Sequence, residues 1–495
     1  MNAADRLLGP DAVARHSKRV ALICGQEQVS FAELAERTAR AAAALQALGV
    51  RPGDRVVLLM RDTPEFAAAW LGAVHAGAVA VALNNRLTAA ELEHVLADSA
   101  PRLVIVDDAF ATRPCGTLTT LAGSALRTRA ESTPPAAPVA MAPEAPAFML
   151  YSSGTTGRPK GIVHVHRGFA SLGLAFRRLG LGEGDRVLCT SKYFFAYGLE
   201  HGFLATLALG ATAIVHPDWP DADAVLDLVS RHRPQAMFSV PTVYRRLLAQ
   251  PPARLGVLAA VGHFVAGGER TSRQLVEQWR EATGGELLNL YGMSETFCAC
   301  MMTPPGTANG ARTGLPFDGV QVELRDAQGA RPAPGEPGVL WLRHPAQATA
   351  YANLPERTRE QFRDGWFCSR DLFLRDAEGY YVHQGRADEL IKVAGQWVQP
   401  AELEEVAAQQ AAVIEAACVP VPDGDGLERL ALFITPRSDP LQAEHDAAEA
   451  CQRLLPRHKR PKWVRAIDEL PRTATGKVQR FKLREILERE LARKD

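Results

Sequence analysis

The chain has 495 residues, 47% apolar and 23% charged, an ordinary globular composition too long for one compact core, so two or more domains are expected. Its 56 Lys and Arg residues equal its 56 Asp and Glu residues, which leaves no overall field to attract nucleic acid or an anionic membrane. The eight cysteines (24, 115, 189, 298, 300, 368, 418 and 451) form no C-x-x-C pair and no Cys/His cluster at zinc spacing. Free thiols in a reducing compartment are expected, and with a polar start and no apolar leader, cytoplasm.

From residue 20 to 108, helix-like stretches (31–48 and 89–98) alternate with short apolar runs (56–59 and 103–106), which predicts βαβ units and a parallel sheet. Residues 66–83 are apolar over nearly the length of a membrane span. They carry His75 and divide at Gly77 into a helix-like and a β-like half, so a buried helix feeding a buried strand is expected and no span. Residues 132–146, dense in Pro and Ala, read as an exposed linker separating the first α/β unit from the segment that begins at residue 147. A second alternation covers 186–291, with strands expected at 213–215, 236–240 and 287–290. Short strands and Gly/Pro turns fill 320–382, a smaller module begins near Gly385, and there is no internal repeat.

The most informative stretch is Tyr151-Ser152-Ser153-Gly154-Thr155-Thr156-Gly157-Arg158-Pro159-Lys160-Gly161, which reads as a polyphosphate loop delivered to a sheet edge by a buried strand. Its glycines let backbone N–H groups crowd round phosphate oxygens, and its hydroxyls add donors without charge. The pattern G-x-x-x-x-G-K-[ST] fails, because Pro159 and Gly161 stand where it needs Gly and Ser or Thr. Leu290-Tyr291-Gly292-Met293-Ser294-Glu295-Thr296 puts one carboxylate beside hydroxyls after a strand. That suits Mg²⁺ on a triphosphate, which keeps phosphate and water as its other ligands; taken alone, a Glu after a strand is more often solvated than metal-bound. Ser369-Arg370-Asp371 and Gly385-Arg386-Ala387-Asp388 supply acids and bases that singly would be surface ion pairs. Lys477 sits in a Thr-Gly-Lys turn before a C-terminal helix, as part of residues 471–480.

These segments, in this order, resemble the adenylate-forming superfamily of acyl-CoA synthetases, carrier-loading adenylation domains and luciferases, over nearly the whole chain. The resemblance implies an α/β fold: a large N-terminal domain of α/β sheet subdomains with a β-barrel-like subdomain, and a small mobile α+β C-terminal domain. Residues 1–385 would bind ATP and acid, and 386–495 would carry the Lys loop, with the hinge at Asp388. It assigns nucleotide contacts to Ser152, Ser153, Gly154, Thr155, Thr156, Gly157, Lys160, Gly268, Glu269, Asn289, Tyr291, Gly292, Ser294, Asp371 and Arg386. Glu295 would hold Mg²⁺. Lys477 would bridge the attacking carboxylate and the α-phosphate as a point charge. Lys392, Gly395 and Trp397 would form the face that receives coenzyme A.

Residues 191–202, including Phe194-Phe195-Ala196-Tyr197-Gly198, resemble benzoate-CoA and hydroxybenzoate-CoA ligases, as do 162–166, 392–400 and 480–484. The acid pocket implied is Ala196, Tyr197, Ala266, Gly267, Gly292, Met293 and Cys298, a flat apolar wall that fits a ring better than a chain. Two positions depart from the pattern. Arg370 replaces a glycine, and Phe297-Cys298-Ala299 stand where benzoate-type enzymes carry a His, so hydroxy-, amino- or chlorobenzoates, heteroaryl and alicyclic acids stay open. His201 reads as a substituent-sensing group or, preferably, a satisfied structural residue.

The expected reaction is ATP- and Mg²⁺-dependent ligation of an aromatic acid to coenzyme A through an acyl-adenylate, with release of AMP and pyrophosphate. The partners are small molecules, with no nucleic acid and no membrane span; a homodimer is admitted. Loading of a carrier-protein phosphopantetheine shares every nucleotide motif. The basic run 457–462 reads either as a coenzyme A contact or as a solvated face. An inactive nucleotide-binding protein on the same fold is the rival from another class, against which the presence of Lys477, Glu295 and Asp371 counts.

Overall fold

The computed structural model describes residues 1–153, 158–310, 312–393, 396–424, 427–472 and 478–491. It divides into two compact units: Met1–Val322 with Leu342–Cys368, and Glu323–Trp341 with Ser369–Asp495. No helix among the described residues is long and apolar enough to cross a membrane.

The first unit is built on two sheets. The seven-stranded sheet runs, in spatial order, Ala350–Tyr351, Pro159–Val165, Pro146–Ser153, Val79–Ala82, Arg55–Leu59, Leu103–Val106 and Thr120–Ala122. Its alternation is strict. Val57, Leu59, Val79, Val81, Val104 and Val106 face Leu92, Val95 and Leu96 of the helix Ala89–Ser99. Val56, Leu58, Ala80, Ala82, Leu103 and Ile105 face the helix Pro64–His75 and its Trp70. Both faces are covered, as a parallel sheet requires. The apolar stretch from residue 66 is therefore a buried helix followed by the buried strand Val79–Ala82.

Helix starts carry local signals. Ser30 with Glu33, and Thr88 with Glu91, form reciprocal capping boxes that open Phe31–Ala47 and Ala89–Ser99. The Ala-rich face of the first lies against Pro64–His75 so closely that a Cβ at Gly72 would stand 2.8 Å from Ala41 Cβ.

One sequence expectation needs correction. Residues 132–146 are exposed or half-buried throughout, as expected, and are tied to the unit: the N–H groups of Ala136, Val139 and Met141 donate to the carbonyls of Ala39, His75 and Met1 at 3.1, 2.9 and 2.8 Å. That stretch does not, however, separate the phosphate-loop segment from the first α/β unit. The strand Pro146–Ser153 pairs in parallel with Val79–Ala82 and antiparallel with Pro159–Val165, so both stems of the segment are neighbouring strands of the same sheet, second and third from its edge.

The nine-stranded sheet has the order Leu315–Pro316, Met301–Met302, Leu287–Tyr291, His263–Gly267, Ala236–Ser239, Arg186–Cys189, Thr212–Val215, Val20–Cys24, Glu27–Ser30. Between the sheets lies a buried ion pair. Asp62 follows a strand of one and Lys192 a strand of the other; their side chains are 5% and 4% exposed and their charged atoms 3.5 Å apart. Lys192 Nζ also donates to the His216 carbonyl at 2.5 Å, and Asp62 accepts from the Tyr193 N–H at 3.3 Å. Burial pushes the Asp62 carboxyl up to about 6 against the pull of Lys192.

In the second unit the strands Val413–Pro422, Glu428–Pro436 and Trp463–Ala466 form a sheet with two apolar faces. Cys418, Leu430, Leu432 and Ile434 face the helices Pro400–Ala408 and Pro440–Leu454, while Ala417, Val419, Val421, Ala431 and Phe433 face Leu483 and Leu487 of Arg480–Leu491. Arg370 adopts φ 62°, the left-handed conformation a glycine takes without cost, so the substitution keeps the backbone course and bears the strain.

Removing one partner of the Asp62–Lys192 pair strands a buried charge. Lys192→Met is expected to lower unfolding free energy by about 3–5 kcal/mol in chemical denaturation, and Asp62→Leu added to it to recover most of the loss.

Candidate active site

The stems of the phosphate hairpin are gripped from one side. Tyr151 Oη donates to Asp98 Oδ2 at 2.7 Å, His94 Nε2 lies 2.9 Å from the Pro159 carbonyl, and Asn353 Nδ2 donates to Asp98 Oδ1 at 3.0 Å. His94 and Asp98 sit one helical turn apart on Ala89–Ser99, so one helix face holds both stems. Across the hairpin Ser152 pairs with Lys160, and Ser153 with Pro159.

Lys160 leads to the acidic motif. Its ammonium lies 2.6 Å from Glu295 Oε1 and 4.0 Å above the Tyr351 ring, and Tyr351 Oη donates to the same carboxylate oxygen at 2.9 Å. The Tyr351 hydroxyl also touches Gln361. Burial raises the Glu295 carboxyl, but Lys160 and Tyr351 outweigh it and hold the group below its ordinary range, so it is an anion at neutral pH. The Glu295 carbonyl accepts from the Ala348 N–H at 2.8 Å. His164 fixes the preceding turn: its Nε2 meets the Ser294 carbonyl at 2.8 Å and its ring stacks on Phe148 at 4.7 Å. Burial takes this imidazole down to about 4, so it is neutral.

Parallel pairing of His263–Gly267 with Leu287–Tyr291 sets Ala266 opposite Asn289 and Gly267 opposite Leu290, which brings the two Gly-containing turns to one sheet edge. A Cβ at Gly267 would stand 2.8 Å from Tyr197 Cε2 and 3.1 Å from the Leu290 carbonyl, so glycine is what lets the Tyr197 ring lie flat there. Tyr197 Oη donates to the Val265 carbonyl at 3.1 Å, which commits the phenol to structure. Ala196 begins the short helix beside it. Gly292 is exposed, and a Cβ there would reach Ala299 Cα at 3.2 Å; Met293 is half-buried. Cys298 is wholly enclosed. Gly268 takes φ 82°, and Glu269 accepts from Thr242 Oγ1 at 2.8 Å with Arg245 3.7 Å away. Asn289 Oδ1 accepts from Thr271 Oγ1 at 3.3 Å, and the Tyr291 carbonyl accepts from the Cys300 N–H.

In the second unit Asp371 lies opposite Arg386 in antiparallel strands. The Arg386 guanidinium donates to Asp371 at 3.1 Å and forks onto both Asp388 oxygens at 2.7 and 2.9 Å. Lys392 and Trp397 are cross-strand partners in the hairpin Ile391–Val393 with Gln396–Val398; Nζ is 5.6 Å from the indole, which is 61% exposed. Nearby a cleft of about 410 Å³ is lined by Gln396, Arg429, Arg457, His458, Arg460 and Lys462 among others. Two of its cations share one counter-charge, Asp423, at 2.8 Å from Arg429 and 3.3 Å from Lys462. Lys477, Gly395 and the loop residues Gly154, Thr155, Thr156 and Gly157 lie outside the described residues.

Sequence reasoning misses Tyr351, Asp98 and Asn353. None lies in a motif, and their partners are 56, 53 and 255 residues away in the chain, so only strand pairing reveals them. The donor set fits a magnesium ion that arrives on a triphosphate: one buried anionic carboxylate at the mouth of a phosphate loop. Among the described residues no group of three or more His, Cys, Asp or Glu residues makes a protein cage for a metal.

Comparison with known proteins identifies the family. Residues 10–352 match the model of the AMP-binding enzyme family, and 402–477 that of the AMP-binding enzyme C-terminal domain. A 3-hydroxybenzoate–CoA/4-hydroxybenzoate–CoA ligase of Thauera aromatica is 38% identical over 99% of this chain and 98% of its own. A 3-hydroxybenzoate–CoA ligase of Aromatoleum sp. (strain CIB) is 39% identical over 98% and 97%. The crystal structure of an anthranilate CoA ligase in complex with anthranoyl-AMP superposes with a TM-score of 0.92 at 30% identity, covering 99% of this chain and 98% of that one. The chain belongs to the AMP-binding enzyme family, in the acyl-CoA synthetase branch of the adenylate-forming superfamily.

Proposed function

We propose that this protein joins an aromatic carboxylic acid, a benzoate bearing a ring substituent, to coenzyme A at the expense of ATP. The observation that carries the reading is the presence, in the first unit, of an anionic Glu295 held by Lys160 of the phosphate hairpin and of the Tyr197 ring laid on Gly267, whose strand pairs with the one leading to the Glu295 motif. The named relatives, hydroxybenzoate and anthranilate CoA ligases, support it.

In the first half-reaction a carboxylate oxygen of the acid attacks the α-phosphorus of ATP and pyrophosphate leaves. Ser152, Ser153 and the loop Gly154 to Gly157 would cradle the phosphates, Lys160 would pass from Glu295 to a phosphate oxygen, and Lys477 would bridge the two reacting anions. Magnesium, held by Glu295 and the triphosphate, would supply charge neutralisation on the departing pyrophosphate. Tyr291 would stack on adenine and Asp371 accept from the ribose hydroxyls, with Arg386 beside it. In the second half-reaction the coenzyme A sulfur attacks the acyl carbonyl and AMP leaves with the bonding pair. The C-terminal domain, residues 386–495, would turn at Asp388 to exchange the Lys477 loop for the face carrying Lys392, Gly395 and Trp397. Free coenzyme A is favoured over a carrier protein because the basic cleft adjoins Gln396 of that face, and a nucleotide with three phosphates needs such a cluster of cations, whereas phosphopantetheine alone brings one phosphodiester.

Incubation with ATP, Mg²⁺ and a panel of aryl, alicyclic and fatty acids, with and without coenzyme A, is expected to yield an aryl-CoA by mass spectrometry; an acyl-AMP that never uses coenzyme A would transfer the reading to a carrier protein. Lys477→Ala should abolish adenylate formation but still convert supplied acyl-AMP and coenzyme A, and Lys392→Ala should do the reverse; equal loss of both half-reactions would sink these roles. Arg457→Glu with Arg460→Glu should raise KM for coenzyme A about tenfold or more while KM for ATP stays within about twofold, since charge-assisted contacts are each worth roughly 1.5–3 kcal/mol.

A further inference from the structure

Behind Tyr197 the helix Ala196–Leu199 runs into one π-turn, Glu200–Leu204. Such turns insert an extra residue and re-aim side chains, often at functional sites. Its first two residues are fully enclosed, Glu200 at 0% and His201 at 1% exposure. His201 Nδ1 lies 3.0 Å from the Tyr197 carbonyl, which can only accept, so Nδ1 carries the ring proton and Nε2 a lone pair. Burial takes His201 down to about 4, so this tautomer is the neutral ring. Among the described residues Nε2 meets no hydrogen-bond donor, and Glu200 Oε2 stands 3.5 Å from it. That same Oε2 accepts from the Ala299 N–H at 3.0 Å, and the Cys298 thiol and the Gly173 N–H also bear on the carboxyl.

A buried acceptor beside a buried carboxylate is costly, and one proton relieves both: a carboxylic acid O–H at Glu200 is the donor that Nε2 lacks. Facing Glu200 are the thiol of Cys298, Arg177 on Leu174–Arg178, Cys189 at the end of Arg186–Cys189, and Tyr197 and His201 of its own segment. Arg177, the one cation among these, gives a guanidinium N–H to the Leu172 carbonyl. Burial dominates and pushes the Glu200 carboxyl up to about 8.

We propose that Glu200 and His201 are positioning residues of the acid pocket: the Glu200 carboxyl joins the Ala299 N–H to His201 Nε2, and His201 carries the link to the Tyr197 carbonyl. The wall at Tyr197 and the segment beside Cys298 and Gly292 are thereby held at one spacing, which sets the width offered to a substituted ring. This rests on reading those two segments as the pocket for an aromatic acid.

The test is adenylate formation, followed as pyrophosphate release without coenzyme A, for wild type, Glu200→Gln and Glu200→Ala from acid to alkaline pH. Wild-type KM for the acid should rise through pH about 8 as the O–H is lost. Glu200→Gln, whose amide N–H replaces that donor, should show no such rise and keep KM for the acid near the wild-type value at neutral pH. Glu200→Ala should raise KM for the acid about tenfold with KM for ATP within about twofold, the scale of one unmade buried hydrogen bond. The same alkaline rise in Glu200→Gln, or KM for acid and ATP moving together in Glu200→Ala, overturns the proposal.

Thermal denaturation separates this from the functional reading. The folded carboxyl titrates above its ordinary value of 4.5, so the folded protein holds an extra proton between about 4.5 and about 8. Wild-type stability relative to Glu200→Gln should therefore fall across that window and level off above it. A wild type that adenylates no aryl acid overturns the functional reading. The stability divergence still decides the Glu200–His201 proton, upheld by its presence and overturned by its absence.

Discussion

Taking a carboxylate out of water costs several kcal/mol unless its charge is met at close range, and Glu295 is such a group. Lys160 and Tyr351 meet it at 2.6 and 2.9 Å on the same oxygen. Lys160 lies on Pro159–Val165, Tyr351 on Ala350–Tyr351, and those strands pair with Tyr351 opposite Ile162. The sheet therefore delivers both partners from one edge, and the phosphate loop shares its stem with one of them. Any slip of register by one residue would turn Lys160 to the other face and leave the anion bare. The charge at Glu295 and the pairing of the hairpin thus depend on each other.

Three buried carboxylates of the first unit show how partner choice sets chemistry. Glu295, with an ammonium and a phenol on one oxygen, is held ionised. Asp62 has Lys192 at 3.5 Å, and burial still lifts it to about 6. Glu200 has backbone N–H, imidazole and thiol neighbours, and burial lifts it furthest, to about 8. The order follows the charge of the partners and its closeness: an ammonium at 2.6 Å, an ammonium at 3.5 Å, and neutral donors. A site that binds a cation with its phosphates uses the first kind; a wall that must stay fixed and dry is better served by the last.

Much of the fold is legible in the sequence because its signals are local. Capping boxes at Ser30 and Thr88 and the apolar runs at 56–59 and 103–106 need no distant information. At 132–146 the Pro and Ala composition correctly reports an exposed segment largely without regular structure, but its three hydrogen bonds to Ala39, His75 and Met1 are tertiary and leave no local signal. The apolar run before the phosphate segment predicts its buried strand correctly and says nothing of that strand's neighbours. At the site, Lys160 and Glu295 are legible as members of two motifs, but not as partners, and Tyr351 belongs to no motif. Arg370 is legible as an oddity; that it keeps φ at 62° instead of redirecting the strand requires the backbone.

The pairing of functional charges with one another has a consequence for affinity. Lys160 is matched to Glu295, and within the second unit Arg386 is matched to Asp371 and Asp388. A phosphate, ribose or magnesium ion that engages these groups exchanges one set of close contacts for another, so the net gain is the difference between two strong interactions and far smaller than either. Exchange also orders events: Lys160 can move to a phosphate oxygen without stranding Glu295 only if a second cation takes its place, which is a physical reason for nucleotide and metal to enter together. On the proposed function the ring of Tyr197 has no such exchange to make: its hydroxyl is committed to the Val265 carbonyl, so burial of an aromatic acid against its carbon face would add directly to binding. Recognition of the acid would then be governed by shape, and activation of ATP by charge exchanged at Lys160 and Glu295.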